Sequence, residues 1–151
     1  MTLLTIPYTE IPSTACEAFP NEKTKYIPTI LTTLEHQRMI SPFLFRSIID
    51  SGADNCIFPA IYGRRLNIQV EAGKKYPYFG AAGSGLAYFH HVKVWVEIEK
   101  RPHSFDGYCG FADALTEVGY GLLGRHGFFD IFRSVKFLQN EKTVELDLKS
   151  D

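Results

Sequence analysis

Asp50-Ser51-Gly52-Ala53-Asp54-Asn55 places two carboxylates, a hydroxyl and a glycine directly after the apolar pair Ile48-Ile49. A carboxylate at the end of an apolar strand is fixed by the scaffold behind it yet faces a cleft. A positioned acid or base needs that setting. Gly52 permits close approach of a backbone or ligand, and Ser51 can brace the loop with a hydrogen bond. The same residues also make an ordinary turn, because Asp and Ser side chains bond to nearby backbone. Both readings stand on these residues alone.

Other chemistry-bearing residues are less organised. Gly80-Ala81-Ala82-Gly83-Ser84-Gly85 is rich in small residues, but a strand pattern follows it. A phosphate-binding loop needs a helix there, so a hairpin tip is predicted instead. His90 and His91 are adjacent on a predicted strand, point to opposite faces and cannot chelate one ion together. No metal-ligand spacing is present and no cofactor motif appears. Cys16, Cys56 and Cys109 are an odd set without a CxxC pair, which reads as three free thiols in a reducing compartment. Arg64-Arg65 reads as a solvated helix face.

The elements that must position these residues are mostly strands. Residues 1–25 carry Pro7, Pro12 and Pro20 and read as an extended arm, part of which can pack as an edge strand. Residues 27–34 and 43–49 are rich in β-branched and apolar residues and read as a hairpin delivering the chain to Asp50. Residues 59–66 predict a short helix. From His91 onward, Val92, Val94, Val96 and Ile98 alternate with Lys93, Trp95, Glu97 and Glu99, which is a strand with one buried face. Residues 101–110 read as loop. Phe128, Phe129 and Phe132, at helical spacing, predict a second short helix. Residues 135–138 and 143–148 predict a closing hairpin.

Composition bounds the whole. The chain has 151 residues, 45% hydrophobic and 22% charged, enough for one domain with a core that needs no disulfide or metal. Sixteen Lys+Arg against seventeen Asp+Glu give a formal net charge of −1, which argues against nucleic-acid or anionic-membrane binding through a basic field. The first residues lack a basic region before a long apolar run, so no signal peptide is predicted. No stretch approaches the roughly 20 apolar residues of a membrane span. A cytoplasmic protein is expected.

Taken in order, the features resemble the retropepsin-like aspartic proteases. Residues 48–54, Ile-Ile-Asp-Ser-Gly-Ala-Asp, are similar to that family's apolar-apolar-Asp-(Thr/Ser)-Gly-Ala-Asp signature. Leu122-Leu123-Gly124-Arg125 is similar to its second signature, apolar-apolar-Gly-Arg, and residues 80–85 lie where the family places its flap. The resemblance spans roughly residues 26–148. The arm, the segment 100–119 and the closing hairpin are longer than in compact retroviral enzymes.

The resemblance implies a mostly-β, closed acid-protease barrel with one or two short helices. Residues 1–25 form the arm and 26–151 the protease domain. It implies a catalytic Asp50 supported by Ser51, Gly52, Ala53, Asp54, Gly124 and Arg125, with Asp54 and Arg125 paired. It also implies a substrate-binding flap of Gly80, Ala81, Ala82, Gly83, Ser84 and Gly85. Two carboxylates are needed, and Asp106-Gly107, Asp113-Ala114, Asp130-Ile131 and Asp147-Leu148 all lack the motif. A homodimer acting on peptide or protein substrates is therefore expected, without metal or cofactor. The alternatives are a peptide-binding or dimerisation module that keeps the fold without cutting, and an unrelated β-barrel.

Overall fold

The computed structural model describes residues 2–80 and 83–149. In chain order the strands are β1 (Thr2–Pro7), β2 (Thr9–Pro12), β3 (Thr24–Ile27), β4 (Thr29–His36), β5 (Met39–Ile40), β6 (Phe45–Ile49), β7 (Ile57–Pro59), β8 (Lys74–Gly80), β9 (Gly83–Ile98), β10 (Arg101–Ala112), β11 (Gly121–Leu123), β12 (Phe132–Leu138) and β13 (Thr143–Leu148). Two short helices interrupt them, α1 (Ala60–Arg64) and α2 (Asp113–Val118). The fold is mostly β, as expected. Among the described residues no helix is long and apolar enough to cross a membrane.

Alternation along the strands decides what faces inward. Val92, Val94, Val96 and Ile98 of β9 are buried, and Ile30, Thr32 and Leu34 of β4 face the same interior. Six strands close a barrel in the order β4-β6-β11-β7-β10-β9, with β9 returning to pair with β4. Phe58, Phe111, Phe128 and Leu34 are completely enclosed in the core, and burying each such side chain favours folding by about 1.5–3 kcal/mol. Two contacts in the barrel are parallel, β6 with β11 and β7 with β10.

The arm is more regular than its prolines suggest. β1 pairs antiparallel with β13, from Thr2 opposite Leu148 to Pro7 opposite Thr143, and makes a three-stranded sheet with β12. Leu4 and Ile6 carry that sheet onto the core. β2 and β3 form a separate ribbon.

Two expectations fail here. Residues 101–110, read as loop, belong to β10, whose Phe105, Cys109 and Phe111 are buried. Its first half has β9 as partner on one side only. Pro102 is tolerated there because its missing N–H falls on an unpaired edge. The helix expected at Phe128–Phe132 is a single 3₁₀ turn, Phe129–Ile131. Phe128 and Phe132 are buried because they pack edge-on in the core rather than because they line a helix. The second helix is α2 instead, too short and polar to show a period.

Arg64 of α1 ties this region together, contacting Asp113 Oδ1 at 2.6 Å and also Glu71. The guanidinium holds both carboxyls below their ordinary values and is itself raised by them. Depressed acids favour the fold at neutral pH. That contribution fades as pH falls below about 4 and is small for exposed groups.

The β9–β10 turn explains why β10 escaped the pattern. Glu99 and Lys100 both adopt positive φ, 53° and 63°, the geometry of a two-residue hairpin whose favoured sequence is Asn-Gly. Lys100→Gly removes the Cβ conflict at the second position. Thermal unfolding should show a gain of about 0.5–1 kcal/mol. Glu99 is better left in place, because its carboxylate accepts the Thr5 N–H at 3.0 Å and ties β1 to the turn.

Candidate active site

Asp50 is the first residue beyond β6, which lies inside the barrel between β4 and β11. β11 runs parallel to β6, with Leu122 opposite Ile48 and Leu123 opposite Ile49. The Asp50 N–H continues that register by donating to the Leu123 carbonyl at 3.1 Å. The apolar pairs Ile48-Ile49 and Leu122-Leu123 are thus two rails, and each ends in a polar motif on the same side of the barrel.

The turn closes on the carboxylate. Gly52 N–H donates to Asp50 Oδ1 at 2.9 Å, and Ala53 N–H donates to the Asp50 carbonyl at 3.2 Å. One carboxylate oxygen is thereby fixed by a local Asx-type bond. Asp50 is half-buried, while Ser51 and Gly52 are exposed. A Cβ at Gly52 would stand 3.2 Å from Asp50 Oδ1 and crowd the oxygen that the turn positions.

The second motif locks the first. Arg125 N–H donates to the Ala53 carbonyl at 2.9 Å, and His126 N–H to the Asp54 carbonyl at 2.8 Å. Arg125 also folds back over the loop. One nitrogen donates to the Ser51 carbonyl at 2.8 Å, and the other pairs with Asp54 Oδ1. The expected contact between Asp54 and Arg125 is present. Gly124 sits against backbone, where a Cβ would lie 2.5 Å from the Asn55 carbonyl carbon and 2.9 Å from the Ala53 oxygen. The motif needs glycine there for space, not for backbone freedom.

Arg125→Lys tests the clamp. Lys can serve the carboxylate or the Ser51 carbonyl but lacks the planar fork that serves both. Both side chains are more than half exposed, so solvent screening limits the pair itself. Urea unfolding should show a loss of about 1 kcal/mol or less.

Of residues 80–85, Gly80 ends β8 and Gly83 opens β9; Gly80 opposes Gly83, Phe79 opposes Ser84 and Tyr78 opposes Gly85. Ala81 and Ala82 lie outside the described residues. β9 pairs with β4 only through residues 93–96 and with β10 from Tyr88 onward. The hairpin therefore extends beyond the barrel with β8 as the strand partner of residues 83–87. Gly85 leaves space for the Tyr78 ring, whose oxygen would be 2.8 Å from a Cβ there. Burial pushes the Tyr78 phenol up from its usual pKa. Phe79, near the tip, is 83% exposed.

The histidines behave as their alternation predicts. His90 turns inward to bond the Val70 carbonyl at 2.8 Å, and His91 lies outward against Tyr108. Among the described residues no group of His, Cys, Asp and Glu is arranged to hold a metal.

Sequence reasoning missed one residue behind the loop. The Cys56 sulfur accepts the Gly124 N–H at 3.4 Å and faces the His126 carbonyl at 3.6 Å. Its only sequence signal was its place two residues after Asp54.

No family model matches the chain, and no curated protein matches it. Solved structures do. The crystal structure of a retropepsin-like aspartic protease from Rickettsia conorii aligns with 97% of this chain and 95% of its own. The TM-score is 0.53 and the identity 16%. The EIAV protease complexed with the inhibitor HBY-793 aligns with 66% of this chain and 82% of its own, at a TM-score of 0.37 and 20% identity. The barrel closed through β4 and β9 thus belongs to a chain that aligns with a solved retropepsin-like structure along nearly its whole length: this chain has the retropepsin-like fold of aspartic proteases.

Proposed function

We propose that this chain is an aspartic endopeptidase that acts as a homodimer, with one Asp50 from each copy. The observation that carries this reading is the fixed turn at Asp50. Gly52 N–H holds one carboxylate oxygen in place, and this reading gives the other the water. One Asp-Ser-Gly per chain supplies half of a dyad, so a two-fold axis must bring a second copy.

Two carboxylates about 3 Å apart cannot both ionise, so they share one proton. The ionised partner takes a proton from the water between them as that water attacks the peptide carbonyl. The protonated partner donates to the carbonyl oxygen, and protons then pass to the leaving amine. The hairpin of residues 80–85 closes over an extended peptide and excludes water. Apolar pockets for alternate side chains set preference, as in strand addition generally. The protease domain of this reading is 26–151, with the arm 1–25 laid on its closing sheet. Three free cysteines fit a reducing, cytoplasmic setting.

Dilution tests the shared dyad. Cleavage of a peptide library should fall in specific activity as the protein is diluted, in step with loss of a symmetric dimer by sedimentation. Constant specific activity from monomer would overturn the mechanism. A stable dimer that binds peptides and never cleaves them would favour the binding-module reading.

A further inference from the structure

Cys56 and Cys109 are the two buried cysteines, and the mechanism above uses neither. Cys109 lies in β10, and Cys56 immediately precedes β7, the parallel neighbour of β10. Gly110 is opposite Ile57, and Gly110 N–H donates to the Cys56 carbonyl at 2.9 Å. Continuing that register back by one residue puts Cys109 beside Cys56. Residues opposite each other in a sheet project to the same face, and both side chains are buried, at 0% and 1% exposure. The strand spacing of about 4.8 Å lies within the Cα separation of about 4.4–6.8 Å that a disulfide spans.

We infer that Cys56 and Cys109 form a redox-active dithiol behind the Asp50 loop, oxidised by hydrogen peroxide to a disulfide that withdraws the Cys56 sulfur from Gly124. Three observations converge on it: the register, the Gly124 N–H on the Cys56 sulfur, and a glycine beside each sulfur. At Gly107 a Cβ would stand 2.9 Å from Cys109 Sγ, and at Gly127 one would stand 3.4 Å from Cys56 Sγ. Both glycines are half-buried. The Phe105 ring lies 3.3 and 3.1 Å from the same two positions, so peroxide reaches the sulfurs through local opening.

The two thiols have different roles. The neighbouring Cys109 thiol lowers the pKa of Cys56, helped by the backbone of Gly124 and Phe128 and opposed by burial. The Cys56 neighbour, with burial, raises Cys109 well above the ordinary thiol value. Cys56, whose sulfur also accepts the Gly124 N–H at 3.4 Å, is the attacking sulfur. Its thiolate takes one peroxide oxygen, giving a sulfenic acid and hydroxide, and the proton it released converts that hydroxide to water. The Cys109 thiol then attacks the sulfenic sulfur, an S–S bond forms, and a second water leaves. Two thiols and one peroxide give one disulfide and two waters. Bringing the sulfurs to a bond length of about 2.05 Å removes the acceptor of the Gly124 N–H. Gly124 is the residue wedged beneath Asn55 and Ala53.

The test uses the full chain with Cys16→Ser, because Cys16 is exposed and would cross-link copies. The protein is treated with hydrogen peroxide, unfolded, alkylated with N-ethylmaleimide and mapped by mass spectrometry. The expected product is a Cys56–Cys109 cross-linked peptide, lighter by two hydrogen atoms and restored by dithiothreitol. Amide exchange at Gly124 should quicken about fivefold, the equivalent of one net hydrogen bond. Recovery of both thiols as alkylated cysteines, or oxidation of one sulfur without a link, would overturn the inference. A link with unchanged exchange at Gly124 would overturn its coupling to the loop. Cys109→Ser should leave Cys56 at the sulfenic stage, trapped by dimedone. The cross-link in the chain that keeps both thiols decides the matter even if that variant does not fold. Neither readout requires peptide cleavage, so failure here is separable from failure of the protease reading.

Discussion

Asp50→Asn is expected to abolish peptide cleavage while leaving the fold in place. The amide keeps an oxygen that can accept the Gly52 N–H, now held at 2.9 Å. The backbone bonds from Asp50 N–H to Leu123 and from Ala53 N–H to Asp50 do not involve the side chain at all. The turn and its tie to β11 should therefore survive. An amide can neither take a proton from water nor share one across a two-fold axis. Loss of one general base typically costs about 10²–10⁴ in rate, and symmetry removes both carboxylates, so roughly 10⁴ or more should vanish. Cleavage by the purified variant and the parent chain, with circular dichroism on both, is the measurement. Equal cleavage would reduce Asp50 to a turn residue and end the protease reading.

Gly124→Ala should produce the largest loss of stability among single methyl additions near the site. Overpacking usually costs about 1–3 kcal/mol because side chains give way. Here the methyl meets backbone, the Asn55 carbonyl and the Ala53 oxygen. The Ala53 oxygen is held by the Arg125 N–H, and the Asp54 carbonyl next to Asn55 by the His126 N–H. Relief requires the two loops to part, so the cost should reach about 3 kcal/mol or more. Denaturant unfolding reads it directly. The contrast with Gly52→Ala is a control, since that methyl meets only the Asp50 side-chain oxygen, at 3.2 Å. A loss at Gly124 no greater than at Gly52 would mean the loops are less rigidly joined than their hydrogen bonds imply.

The parts of this structure legible from sequence are those where a residue's type and its neighbours agree. β9 declared itself because Val92 to Ile98 alternate with polar residues and the interior is apolar. The Asp50 turn and Leu122-Leu123-Gly124-Arg125 were legible as motifs. Their contact was implied by resemblance, not by any local pattern, because parallel pairing of β6 with β11 leaves no signature at a distance of over seventy residues. β10 was illegible for a local reason. Its turn is Glu99-Lys100 rather than a glycine pair, and its first half has a free edge that tolerates Pro102. The three phenylalanines at 128, 129 and 132 misled in the opposite sense, since their spacing reflects packing around a 3₁₀ turn. Cys56 carried no pattern, because its contacts are made through the backbone of a segment far along the chain.

The pairing of Thr2 with Leu148 has a kinetic consequence. It joins nearly the two most distant points of the described chain, so its loop-closure entropy is among the largest in the molecule. Contacts of such separation form late. During synthesis β1 emerges long before its partner β13, and Leu4 and Ile6 remain uncovered in the interval. The barrel strands can meanwhile assemble without them. A late intermediate with a formed barrel and a loose first strand should precede the native state. That strand is also the segment an aggregating neighbour or a chaperone would meet first.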